Sequence, residues 1–109
     1  MAEALKVLGQ ANPDATTLTD LYTVPASTEV TASTLVICNR TGSTLSARVS
    51  VAVGGASDDP KQYIYYDVKV LKNDSLFATI GLTLAATDKV RVYASAAGLS
   101  FSLFGVEVS

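Results

Sequence analysis

Thr34-Leu-Val-Ile-Cys-Asn-Arg-Thr-Gly-Ser-Thr-Leu-Ser-Ala-Arg-Val-Ser-Val-Ala-Val53 decides how the chain reads. In its second half Leu45, Ala47, Val49, Val51 and Val53 alternate with Ser46, Arg48 and Ser50. A period of two belongs to a strand with one dry and one wet face. The first half, Leu35-Val-Ile-Cys38, is apolar at every position, as in a strand covered on both sides. Between them, Asn39-Arg-Thr-Gly42 supplies residues that tolerate the positive φ of a tight reversal. The stretch is expected to form a central antiparallel hairpin on which the other segments pack.

Outward from it, Leu18 to Val24 and Val30 to Asn39 read as strands separated by Pro25, which cannot donate to a ladder. Gly54-Gly-Ala-Ser-Asp-Asp-Pro60 is a polar loop. Gln62 to Leu71 follows as a strand, with Ile64, Tyr66, Val68 and Val70 expected on one face and Tyr63, Tyr65, Asp67 and Lys69 on the other. Leu76–Leu84, Val90–Ser95 and Leu99–Val108 complete the series, divided by Ala85-Ala-Thr-Asp88 and Ala96-Ala-Gly98. The last strand carries Leu99, Phe101 and Leu103 on one parity, then Phe104, Val106 and Val108 on the other. A bulge near Leu103–Gly105 would restore one face; alternatively a neighbouring subunit covers the second face. No window repeats its apolar residues with helical spacing. The fold class is therefore all-β, a single-domain antiparallel β-sandwich or jelly roll of about 7–9 short strands. Residues 1–10 are a first strand or an arm, and residues 11–109 the sandwich.

With 109 residues there is room for one core. The chain is 49% hydrophobic and only 17% charged, yet no segment approaches a membrane span. Such a balance points to surface hidden against partners. Eight basic and ten acidic residues are mixed along the chain, and the absence of a basic cluster argues against nucleic-acid binding.

There is no histidine, which excludes Ser-His-Asp and Cys-His catalysis and histidine metal sites. The single cysteine, Cys38, excludes an internal disulfide and is expected to be a small buried hydrophobe. Asp58, Asp59, Asp74 and Asp88 are read as turn residues that cap backbone donors, not as a cation site. No cofactor is expected. The residues suited to an interface are Leu5, Val7 and Leu8 in the first segment, Tyr63 and Tyr65 in the aromatic strand, and Phe104 near the end.

Several stretches also carry a likeness. Lys6-Val-Leu-Gly-Gln10, Leu21-Tyr-Thr-Val-Pro-Ala26, Leu35-Val-Ile-Cys-Asn-Arg40 and Tyr63-Ile-Tyr-Tyr-Asp67 are followed by Asn73-Asp-Ser75 and Gly81-Leu-Thr-Leu-Ala-Ala-Thr-Asp88. Val92-Tyr-Ala-Ser95 and Phe101-Ser-Leu-Phe-Gly-Val-Glu107 complete the set. In these strand-and-turn patterns the chain resembles small all-β virion proteins of tailed bacteriophages. The resemblance implies a non-enzymatic structural protein, made in the host cytoplasm and carried in the virion. Head decoration (cement) is the leading expectation, with a homo-oligomer, a trimer first, bound to partners such as the major capsid protein. The alternative is a tail, baseplate or fibre module contacting host surface glycan or protein. Neither nucleic acid nor a membrane is an expected partner.

Overall fold

The computed structural model describes residues 2–109 and is built from strands alone, apart from 3₁₀ turns at Val53–Gly55 and Pro60–Gln62. The strands are β1 (Glu3–Ala11), β2 (Thr19–Thr23), β3 (Glu29–Asn39), β4 (Leu45–Ala52), β5 (Tyr63–Val70), β6 (Ser75–Ala78), β7 (Leu82–Leu84), β8 (Lys89–Ala94) and β9 (Leu99–Val108). The first sheet runs β1-β9-β3-β6, with β7 also pairing β3, and the second runs β2-β8-β4-β5. All these pairings are antiparallel. The first strand thus pairs with the last, the second with the one before it, and β4 with β5 at the centre of the chain. A long hairpin folded over itself in this way is a jelly roll.

Alternation makes the core. Leu35, Ile37, Leu99, Phe101 and Leu103 of the first sheet face Val49, Val70, Val90 and Val92 of the second, all essentially without solvent exposure. Burying each such side chain contributes roughly 1.5–3 kcal/mol. At one end the Tyr22 hydroxyl donates to the Glu107 carboxylate, which also receives Lys6 Nζ at 2.9 Å. This links β2 of one sheet to β9 of the other.

The expected central hairpin does not form. β3 belongs to the first sheet and β4 to the second, so Asn39–Gly42 carries the chain across the sandwich. Asn39 makes this corner. It is buried, its Oδ1 accepts from the Thr41 backbone N–H (2.9 Å), and its Nδ2 donates to the carbonyls of Ser43 (2.8 Å) and Val70 (3.0 Å). The reversal has turn chemistry, but its bonds reach β5 and not a hairpin partner. Leu76–Leu84, expected as one strand, is broken into β6 and β7 before Gly81, whose φ is 57°.

The bulge expected in β9 lies in its neighbours. β9 keeps an unbroken register, while Leu8 in β1, opposite Leu103–Phe104, and Ser33 in β3, opposite Phe104–Gly105, are the extra residues. Gly105 explains the position. A Cβ there would overlap the Thr31 carbonyl oxygen and crowd Leu8 Cδ1, so the missing side chain admits Leu8 into the core. Because β9 never changes phase, Phe104, Val106 and Val108 all point away from the core. Cys38, expected to be buried, is only partly so, and lies on that same outer face.

Candidate functional site

The outer faces of the two sheets are the surfaces available for recognition, and their side chains differ. On the second sheet, β5 opposes Arg48 of β4 with two residues, Tyr66 and Asp67, between the pairs Val49–Tyr65 and Ala47–Val68. Asp67 has a φ of 59°, and a second irregularity leaves Ile64 unpaired. These bulges overturn the expected two faces of β5. Tyr65, Val68 and Val70 turn inward, whereas Ile64 and Tyr66 are exposed.

The Tyr66–Asp67 bulge builds a site around Arg48. The guanidinium lies 4.1 Å from the Tyr66 ring centroid and 4.4 Å from that of Tyr93, and its Nε donates to Asp67 Oδ1 at 2.7 Å. Tyr63 meets Tyr66 edge to face at 5.1 Å and donates its hydroxyl to Asp58 at 2.8 Å. Burial, and then Asp58, raise the Tyr63 phenol above its ordinary pKa, while Arg48 holds Asp67 below its own. Arg48, Asp58, Tyr63 and Tyr66, with Pro60, line an open depression of about 530 Å³. Nearby, Asp20 accepts from both Lys89 (3.0 Å) and Arg91 (3.2 Å), an arrangement that lowers its pKa, with Lys89 the larger cause. The face is aromatic, charged and internally paired.

The outer face of the first sheet is assembled by register, because residues directly opposite one another share a face. Its rows are Glu3–Val108–Glu29, Leu5–Val106–Thr31–Thr83, Val7–Phe104–Thr34, Gln10–Ser102–Val36–Phe77 and Ser100–Cys38–Ser75. Leu5 is 85% exposed and Phe77 70%. Among the described residues, these strand positions carry no charge between the glutamate row and Arg40, which closes the other end through Ser100 Oγ (2.8 Å) and Asn12 Oδ1 (2.7 Å). An antiparallel sheet facing water ordinarily alternates apolar inside with polar outside. This one keeps hydroxyl and amide side chains on its outer side but sets among them an uncharged apolar patch of Leu5, Val7, Val36, Phe77, Phe104 and Val106.

The residues singled out in the sequence fall in three places. Leu5, Val7 and Phe104 share the outer face of the first sheet, with Val7 directly opposite Phe104. Leu8 and Tyr65 turn to the core, Leu8 as the bulged residue. Tyr63 joins the depression on the second sheet. Sequence reading missed Arg48, Tyr93, Val36 and Phe77. For Val36 a signal existed: Leu35-Val-Ile-Cys38 is apolar at every position, although its second face is left uncovered here. Of the four aspartates expected to cap backbone donors, Asp58 instead accepts from the Tyr63 hydroxyl, and the other three bind backbone. Asp88 accepts from Gly54 and Ala85, Asp59 from Lys61, and Asp74 from Ser75.

No family model matches the sequence, and no curated protein matches it. Solved structures do. A chain in the structure of the infectious bursal disease virus Gx strain superposes with a TM-score of 0.58 over 97% of this chain, at 11% identity. Another, from the T13 particle of that virus, gives 0.54 over 96% at 11% identity. This chain spans only 32% and 30% of those chains, about a third of their length. A chain in the acidic stable capsid structure of Helicobacter pylori bacteriophage KHP30 gives 0.52 at 15% identity, covering 99% of this chain and 98% of that one. At such identities the likeness is one of fold.

Proposed function

We propose that the protein is a non-enzymatic structural component of a phage virion, placed on the head as a decoration (cement) protein. The observation that carries this reading is the uncharged apolar patch on the outer face of the first sheet, spread over β1, β9, β3 and β6. A surface of this kind is stable in water only at a cost, which association removes at about 25 cal/mol per Å² of apolar area buried. A cement protein acts in this way, adding contacts between copies of itself and the major capsid protein without any chemical step. Two facts support the class. The solved structures named above are of virus particles, and the KHP30 chain matches from end to end, so it is comparably short.

A tagged copy, localised by negative-stain imaging on intact particles, tests the proposal. Label spread over the head is the expected result. Label confined to the tail would sink the decoration reading, and no label on the particle would sink the virion reading. A second reading, a tail, baseplate or fibre module contacting host surface glycan or protein, is favoured by the depression around Arg48, Tyr63 and Tyr66. Exposed tyrosine rings beside paired polar groups suit sugar stacking or a protein anchor.

A further inference from the structure

We infer that two copies of this chain pack face to face through the outer surface of the first sheet, with strands antiparallel between copies and Phe104 on the two-fold axis. The inference rests on the assembly reading of that surface and adds the partner, its direction and its centre. The symmetry is two-fold, not the trimer expected from the sequence.

Charge sets the direction. A self-complementary contact between identical faces requires a two-fold axis lying in the interface plane. An axis along the strands would lay the Glu3–Val108–Glu29 row on its own copy, bringing like charges together. An axis across the strands lays the Glu3–Val108–Glu29 row of each copy over the Ser100–Cys38–Ser75 row of the other, into which the Arg40 side chain reaches through its bond to Ser100 Oγ, twice over. All three charged residues are exposed. The uncharged rows between them then meet one another without leaving any charge buried and unpaired.

The centre follows by counting rows along β9. Ser100 and Ser102 lie to one side of Phe104, and Val106 and Val108 to the other. Reversing the strand direction therefore returns the Phe104 row to itself, ring against ring, flanked by Val7 and Thr34. Val36 is displaced to face the row of Thr31. Two sheets stacked this way pack about 10 Å apart with their strands about 30° off parallel.

The size is adequate. At about 3.3 Å per residue, Glu29 to Cys38 spans about 30 Å, and four strands about 4.8 Å apart cover about 20 Å with their side chains. Each copy contributes about 600 Å² and the pair about 1,200 Å², the lower bound of specific interfaces. The pairing is therefore reversible, and on a particle it is reinforced by the other contacts each copy makes.

Sedimentation equilibrium of the intact chain at tens of micromolar tests the pairing, with far-UV circular dichroism as the folding control. Wild type should dimerise. Arg40→Glu should raise the dimer Kd by about tenfold or more, and combining it with Glu29→Arg should recover most of that loss. In a Cys38→Ser background, Phe104→Cys should cross-link to itself through a short bismaleimide, whereas Val36→Cys alone should not. A wild-type chain that stays monomeric overturns the pairing. So does a charge swap that recovers nothing, or Val36→Cys cross-linking as readily as Phe104→Cys. Particle localisation is independent of all three, so a monomer that still labels the head would refute the pairing and leave the decoration reading standing.

Discussion

On the outer face of the second sheet, Arg48 meets Asp67 and two rings, Lys89 and Arg91 meet Asp20, and Lys69 donates to Ser46. The matching rows of the first sheet read Leu5–Val106–Thr31, Val7–Phe104–Thr34 and Ser102–Val36–Phe77. Both faces belong to one small jelly roll and carry aromatic side chains, so size and aromatic content do not separate them. Charge does. A charge placed on a face must be kept wet or paired, which commits that face to solvent or to a polar ligand. A face without charges can be dried at little cost. The fold is one object with two chemically distinct sides.

The largest effect that sharpens this contrast comes from two residues of β9 lying three apart. Phe101→Ala empties the core and should cost about 3–5 kcal/mol. Phe104→Ala, half-buried on the outer face, should cost clearly less, about 1–2 kcal/mol in dilute protein. Urea denaturation of both variants checks this. Equal losses would mean that Phe104 is already covered within a single chain, and the open face would not exist.

A smaller contrast lies within β1. Leu8→Ala should destabilise by about 2–5 kcal/mol because Leu8 fills the space over Gly105. Leu5→Ala should stay within about 0.5 kcal/mol. Thermal melts separate them. If Leu5→Ala melted as low as Leu8→Ala, β1 would not present Leu5 to the outside.

Smaller again is the effect of Arg48→Ala on the second face. It removes the Asp67 pair and both ring contacts, and should lower the Tm less than Leu8→Ala does. Arg48→Lys should recover only part of the loss, since a compact ammonium reproduces the charge but not the planar stack. A full recovery with lysine would show that the rings contribute nothing.

The smallest expected effect is on pH dependence. The Tyr22 hydroxyl, and then Lys6, hold the Glu107 carboxyl below its ordinary 4.5. A depressed carboxylate contributes stability that is complete above the unfolded value and drains away as pH falls through the folded one. The wild-type Tm should therefore fall on acidification below about 4.5, with Asp20 and Asp67 acting in the same direction. Glu107→Gln should make the Tm less steep in that window. An unchanged slope would remove Glu107 from the account.

Period-two alternation in Leu45–Val49 and Leu99–Leu103 reported correctly which side chains enter the core, because alternation depends only on the pleat. Past Val49 it failed: Ser50, expected wet, is buried, and Val53, expected dry, is 75% exposed. Alternation carries no information about which strand lies alongside, so Thr34–Val53 suggested one hairpin where the chain changes sheets. Bulges were illegible for a related reason. One extra residue at Leu8, at Ser33 or at Tyr66–Asp67 leaves composition untouched but reverses the facing of everything beyond it. That is why the face of β5 was misread and Arg48 went unnoticed as a centre. Leu5, Val7 and Phe104, singled out in the sequence, do share one outer face, but register was needed to show that Val7 and Phe104 are neighbours.

Pairing the first strand with the last also sets the order of events during synthesis. β1 cannot complete its ladder until Leu99–Val108 has left the ribosome, and β2 must wait for β8. Nearly the whole chain is exposed before any of these long-range contacts closes, and β-rich topologies dominated by non-local pairing fold in milliseconds to seconds. In that interval Leu35-Val-Ile-Cys38 and the β1 edge are open to other nascent chains. Lower temperature and slower expression should therefore raise the soluble yield more than any stabilising core substitution does.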